Sequence, residues 1–281
     1  MLGIATDFWT LLQIAADYCR LLRIAADYCR ILRIAAGCCR LLQMTSVCHL
    51  SLELAADHWR VLWIAADCST LMRIAADCWI LLQLAADYGR LLDITTACCR
   101  LLQIIADGFC LSPITGACYG LMQIAADCCR LLQINAGCWR LLDITGGCWR
   151  VMQSAVDCYG FLDIAADYWR LLHIAAYCCR LMQINADRWR LLLMTGDCWR
   201  VMQSAVDSYG FLNIAADCCR LLEIAADCCR FLQITTACCQ LLKIAFVFHQ
   251  SLELAGGCRL LLMASICLQS LELAADHWRL L

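Results

Sequence analysis

The chain has 281 residues, 63% hydrophobic and 16% charged, against ~45–50% and ~25% in ordinary soluble domains. That composition excludes disorder of the charged, low-hydrophobicity kind. A net charge of −2 excludes a surface that steers nucleic acid, and it leaves little repulsion to keep copies apart, so self-association is the first expectation.

Met1 to Thr10 carries no basic region, and Asp7 interrupts its apolar run. It is expected to be neither a signal peptide nor a transit peptide. Leu11 to Arg20 then reads L-L-Q-I-A-A-D-Y-C-R, and edited copies of this decapeptide recur to the end of the chain. Its positions are numbered here as slots one to ten, with Leu11 in slot one. Leu21–Arg30, Ile31–Arg40 and Leu121–Arg130 are close copies. Larger blocks are copied too: Leu131 to Asp167 returns as Leu181 to Asp217, and Ser51–Arg60 returns as Ser270–Arg279. The last copy is out of phase by one residue, because Gly257-Cys258-Arg259 has lost a residue relative to the usual slots. No Ser/Gly-rich hinge or change of composition marks a boundary, so residues 1–281 are expected to form a single decapeptide-repeat array.

Gln, Asp and Arg occupy slots three, seven and ten, at intervals of four, three and three. This is helical spacing rather than strict alternation. Leu, Ala, Gln and Arg are good helix formers, and Asp17–Arg20 is one of many pairs spaced to meet on a helix. The fold expected is therefore all-α: amphipathic helices of roughly 20 residues in an irregular helical array. The period strains against that reading. Ten residues in three turns is ~3.3 per turn, so the polar stripe slips by ~80° per copy on a straight α-helix. A β-solenoid is the alternative, since ten is even and a strand keeps its faces through every repeat. Strict alternation, however, would mix Leu with Gln, Asp or Arg on each face.

Gly108 to Ala126 lacks Asp, Glu, Lys and Arg and is long enough to span a bilayer. Pro113, Gly116 and Gly120 interrupt it, and the flanking charges show no inside–outside bias. The Trp and Arg of slots nine and ten also suit an amphipathic helix on a membrane surface, although such a helix is usually basic on its polar face. Acidic slot seven offsets basic slot ten, which argues against a stacking platform for nucleic acid.

Most of the 27 cysteines fall in slots eight and nine, as vicinal pairs such as Cys38–Cys39, Cys128–Cys129 and Cys228–Cys229. Neighbouring cysteines rarely bond to each other, so a disulfide scaffold is not expected, and a reducing compartment is favoured. No C-x-x-C occurs, and cysteines ten apart on a helix lie ~15 Å apart along its axis, too far to share an ion. The histidines are His49, His58, His173, His249 and His277, and no nucleophile is spaced to join any of them in a triad. Catalytic, cofactor-binding and metal-ligating residues are accordingly expected to be none, and no small-molecule substrate is indicated. Slot nine accepts Trp59, Cys99, Tyr119, Phe109, Ser69 and Gly89, all within one base change of a Cys codon. Such variation resembles codon drift among copies more than selection for packing. The reading from sequence is a low-complexity repeat protein, a translated tandem-repeat reading frame without selected activity. The alternative is a structural or interaction protein that self-assembles or associates with membrane surfaces through apolar helix faces.

Overall fold

A computed structural model describes residues 2–274 and 278–280. Among them there is no helix. A continuous strand, β1 (Leu2–Ala274), is followed by a short one, β2 (Trp278–Leu280), which pairs parallel to it. The chain divides into two compact units, Met1–Cys138 and Trp139–Leu281. Each is a parallel β-solenoid, and together they hold about 13 turns. The expectation of an all-α array is overturned, and the β-solenoid alternative is what the chain adopts.

The burial pattern shows why. Slots two, four, six and nine point inward, and slots three, five, seven, eight and ten point outward. In the copy 161–170, Leu162, Ile164, Ala166 and Trp169 are buried, whereas Asp167 and Arg170 are exposed. Strict alternation is broken twice per decapeptide. Two consecutive residues face outward at slots seven and eight, and again at slots ten and one. Each break turns a corner and resets which parity faces the core. The mixed faces that counted against strands therefore never form, and Gln, Asp and Arg all reach the outside. An outward Asp–Cys or Arg–Leu pair turns the chain at these corners without a special φ.

One turn of the solenoid consumes two decapeptides. Stacked side chains are accordingly twenty residues apart, as in Trp59 on Trp79 and Phe211 on Phe231, with ring centroids 5.8 and 4.7 Å apart. In slot three, amides form ladders along the axis: Gln83 donates to Gln103 at 3.1 Å, Asn213 to Gln233 at 3.2 Å, and Gln233 to Glu253 at 3.1 Å. Among the described residues the ion pair formed is Arg33 with Glu53, again twenty apart, at 2.9 Å. The Asp–Arg pairs read from helical spacing are replaced by rows of like residues running up each face.

The core is built from slots two and four. From Leu12 to Leu252, slot two is Leu or Met in every copy except Ser112. From Ile14 to Leu254, slot four is Ile, Leu or Met except at Ser154 and Ser204. These swaps conserve volume, as a close-packed interior requires. The two serines are matched by tyrosines: the Ser154 and Tyr159 hydroxyls are hydrogen-bonded to each other, as are those of Ser204 and Tyr209. The copied segment Val151–Phe161 thus carries a buried polar pair that is satisfied within one decapeptide.

The uncharged stretch 108–126 is ordinary solenoid strand, with Ser112 and Ile114 buried and Cys118 exposed. Among the described residues no helix is long and apolar enough to cross a membrane.

The slip of frame has a local solution. Cys258 and Leu261 are buried, so they stand in slots nine and two, and the lost residue comes from the corner between Ala255 and Cys258. The shortened corner needs Gly256 at φ +106°, with the backbone of Thr236 so close that a Cβ there would sit 1.7 Å from its carbonyl oxygen. Beyond it, Cys258 pairs with Trp278, twenty residues on, before the register shifts by Leu261 and Leu280. Gly256→Ala is expected to destabilise this end by ~1–3 kcal/mol or more, from the backbone conformation alone. Gly108→Ala, whose nearest contact is the Tyr88 ring at 3.5 Å, is expected to cost little. Urea unfolding of the two variants measures the difference.

Candidate functional site

Because the repeat and the turn are commensurate, the surface consists of rows, each repeating one slot at every second copy. Neighbouring parallel strands lie ~4.7–4.9 Å apart, so side chains twenty residues apart in sequence are touching neighbours in space.

The vicinal cysteines are pulled apart by this geometry. Cys129 and Cys229 are buried in slot nine, whereas Cys128 and Cys228 are exposed in slot eight. A thiol's partner is one turn away. Inside unit 1 the Cys39 thiol is hydrogen-bonded with Cys19, and inside unit 2 Cys239 lies between Cys219 and Cys258. Burial pushes the thiols of Cys99, Cys129, Cys179 and Cys229 up to about 12, with smaller opposing effects from backbone hydrogen bonds. The reactive species is the thiolate, so these inner thiols are inert hydrophobes at neutral pH.

Outside, slot eight forms rows of a different character. Unit 1 carries Cys78, Cys98, Cys118 and Cys138 on consecutive turns, and unit 2 carries Cys158, Cys178, Cys198, Cys218 and Cys238. All of the unit 2 row is exposed. That row borders a shallow groove of about 1210 Å³, whose other side is formed by slot-ten residues including Arg180, Arg200 and Arg220. Slots eight and ten are separated by one inward residue, so the Cα rows that carry the thiols and the guanidinium groups run side by side ~6–7 Å apart. Neither a vicinal pair nor a C-x-x-C motif links these cysteines in the linear sequence. The signal that could have found them is their recurrence every twenty residues.

The histidines do not come together. His58 is exposed in slot eight, His173 is half-buried in slot three, and His249 is fully buried in slot nine. The His249 ring lies 4.8 Å from that of Phe246, and burial lowers its pKa. It behaves as a core residue. The side chain of His49 and the whole of His277 lie outside the described residues. Among the described residues, no group of three or more His, Cys, Asp or Glu is placed to hold a metal ion.

Slot nine is the least uniform part of the core. Trp59, Trp79, Trp149, Trp169 and Trp189 are buried, and no acceptor lies within reach of their indole N–H among the described residues. Trp149, Trp169 and Trp189 stack on consecutive turns at 5.0 and 5.3 Å. The aromatic stripe is therefore interior packing rather than an exposed platform for bases.

Like charges also stack. Asp163 stands over Asp143, and its carboxyl is raised by desolvation first and by the Asp143 charge second. In-register rows reward apolar and amide residues and penalise charges of one sign. Comparison with protein-family models, with curated proteins and with solved structures gave no match to this chain, so the family, the ancestry and the activity of this solenoid rest on its own residues.

Proposed function

We propose that this chain is a structural β-solenoid without catalytic activity, one that works, or persists, by stacking copies of a decapeptide on themselves. The observation that carries this reading is the arrangement of its polar groups. Where side-chain polar groups meet on the outward face they do so as ladders of similar groups along the axis, as in the Asn213–Gln233–Glu253 ladder. Catalysis needs different groups converging on one reacting atom. Self-association belongs to the same reading, because a chain with a net charge of −2 has little electrostatic defence against parallel stacking with other copies.

A second reading, a translated tandem repeat with no selected role, is favoured by slot nine. There one buried position accepts residues from Gly89 to Trp79, although close-packed interiors respond to single methylenes. The coding sequence separates the two. For a selected solenoid, changes that alter the residue should be depleted at inward slots two and four relative to outward slots three, five, seven and eight. Changes spread evenly over all ten slots would sink the structural reading and leave the second.

A further inference from the structure

The slot-eight row of unit 2 has a geometry suited to one class of ligand. Cys158, Cys178, Cys198, Cys218 and Cys238 occupy consecutive turns and face solvent. Adjacent thiols in the row are close enough to interact: Cys218 is hydrogen-bonded with Cys198 and feels the charge of Cys238 as well. Two metal–thiolate bonds of the ~2.3 Å length usual for a d10 ion span ~4.6 Å in line. That matches the ~4.7–4.9 Å between parallel strands. A tetrahedral ion needs four ligands, and among the described residues no three groups converge. A soft ion content with two thiolates meets no such obstacle, and Cu(I) is the biological cation of that kind.

We propose that the slot-eight row of unit 2 binds Cu(I), each ion bridging the thiolates of two successive turns in near-linear two-coordination. Two thiols each release a proton to solvent and two copper–sulfur bonds form, leaving a bis-thiolate complex of net charge −1 with no change of oxidation state. The guanidinium row of Arg180, Arg200 and Arg220 lies across the same groove and offsets that charge. The buried slot-nine thiols take no part, since deprotonating them inside the core is opposed by desolvation.

Adjacency, rather than thiol number, is the testable content. In the full chain carrying C48S, C68S, C78S, C98S, C118S, C128S and C138S, so that no slot-eight cysteines outside the unit 2 row stand twenty residues apart, two double variants each remove two thiols. C178S/C218S leaves Cys158, Cys198 and Cys238 with no neighbour one turn away. C158S/C238S leaves Cys178, Cys198 and Cys218 contiguous. Serine is tolerated at this slot, since Ser208 already occupies it, and circular dichroism verifies that both variants fold alike. Each reduced protein is titrated anaerobically with Cu(I) against bicinchoninate, and the bound metal is read by X-ray absorption. The parent and C158S/C238S are expected to hold chelator-resistant Cu(I) in a two-sulfur shell. C178S/C218S is expected to hold at least tenfold less, and Zn(II) is expected to bind none of the three tightly. Equal copper in the two double variants, or a shell of three sulfurs or of nitrogen and oxygen, would overturn the proposal.

Discussion

Raising the pH from 8 to 11 under anaerobic, reducing conditions is expected to unfold this solenoid. Cys99, Cys129, Cys179 and Cys229 are pushed up to about 12 by burial. Burial raises Cys29 and the tyrosines Tyr159 and Tyr209 in the same direction. In the unfolded chain a thiol titrates near ~8.5. Between these values the unfolded state has lost protons that the folded state still holds. The stability these thiols contribute is therefore complete below ~8.5 and drains away as the pH climbs towards 12, by ~1.4 kcal/mol per pH unit for each thiol. Two such thiols in each unit remove ~3 kcal/mol per pH unit, which exhausts the ~5–15 kcal/mol of a typical domain within a few units. Circular dichroism over an alkaline titration measures this. Replacing the four cysteines by alanine is expected to lower stability at pH 7 and to flatten its pH dependence. A parent whose urea midpoint stays constant from pH 8 to 10.5 would show that the slot-nine thiols are not buried in a common core.

The second large effect is expected at Trp169. Its side chain is fully buried, and its ring stacks between those of Trp149 and Trp189. Trp169→Ala removes the middle of a three-ring column and leaves a cavity, at a cost of ~3–5 kcal/mol. Trp169→Phe keeps an aromatic ring in the column and removes an indole N–H with no acceptor in reach. Burying an unmade hydrogen bond costs ~1–3 kcal/mol, so the phenylalanine variant is expected to lose far less than the alanine one. Arg170→Ala, one residue on and exposed, is expected to stay within ~0.5 kcal/mol of the parent. Urea or thermal unfolding of the three variants gives the comparison. Near-equal stability of Trp169→Ala and the parent would support codon drift at slot nine, where any residue serves. A large loss would show that the stacked column carries weight despite the variety of residues in the slot.

The decapeptide, its nested duplications and the slip at Gly257-Cys258-Arg259 are legible in the residues alone, and so is the composition that makes a large apolar core possible. Slots three, seven and ten were recognisable as outward. The mismatch between ten residues and 3.6 per turn was also visible, and it is what a strand-based repeat looks like when read as a helix. Local preference pointed the other way, since Leu, Ala, Gln and Arg favour helices. That preference amounts to tenths of a kcal/mol per residue, and stacking each residue on its counterpart twenty positions away outweighs it.

The corners were not legible. Nothing in Asp17–Tyr18 or Arg20–Leu21 announces that two neighbours will both face outward, because no glycine, proline or special φ is needed there. Turn length follows from those corners, and only turn length makes Cys198 a neighbour of Cys218 while separating Cys128 from Cys129. The residue types and their ten-residue period are properties of the linear chain. Which of them touch was decided by closure of the coil at twenty residues, a long-range condition that satisfies backbone hydrogen bonds between turns and that no single decapeptide can express.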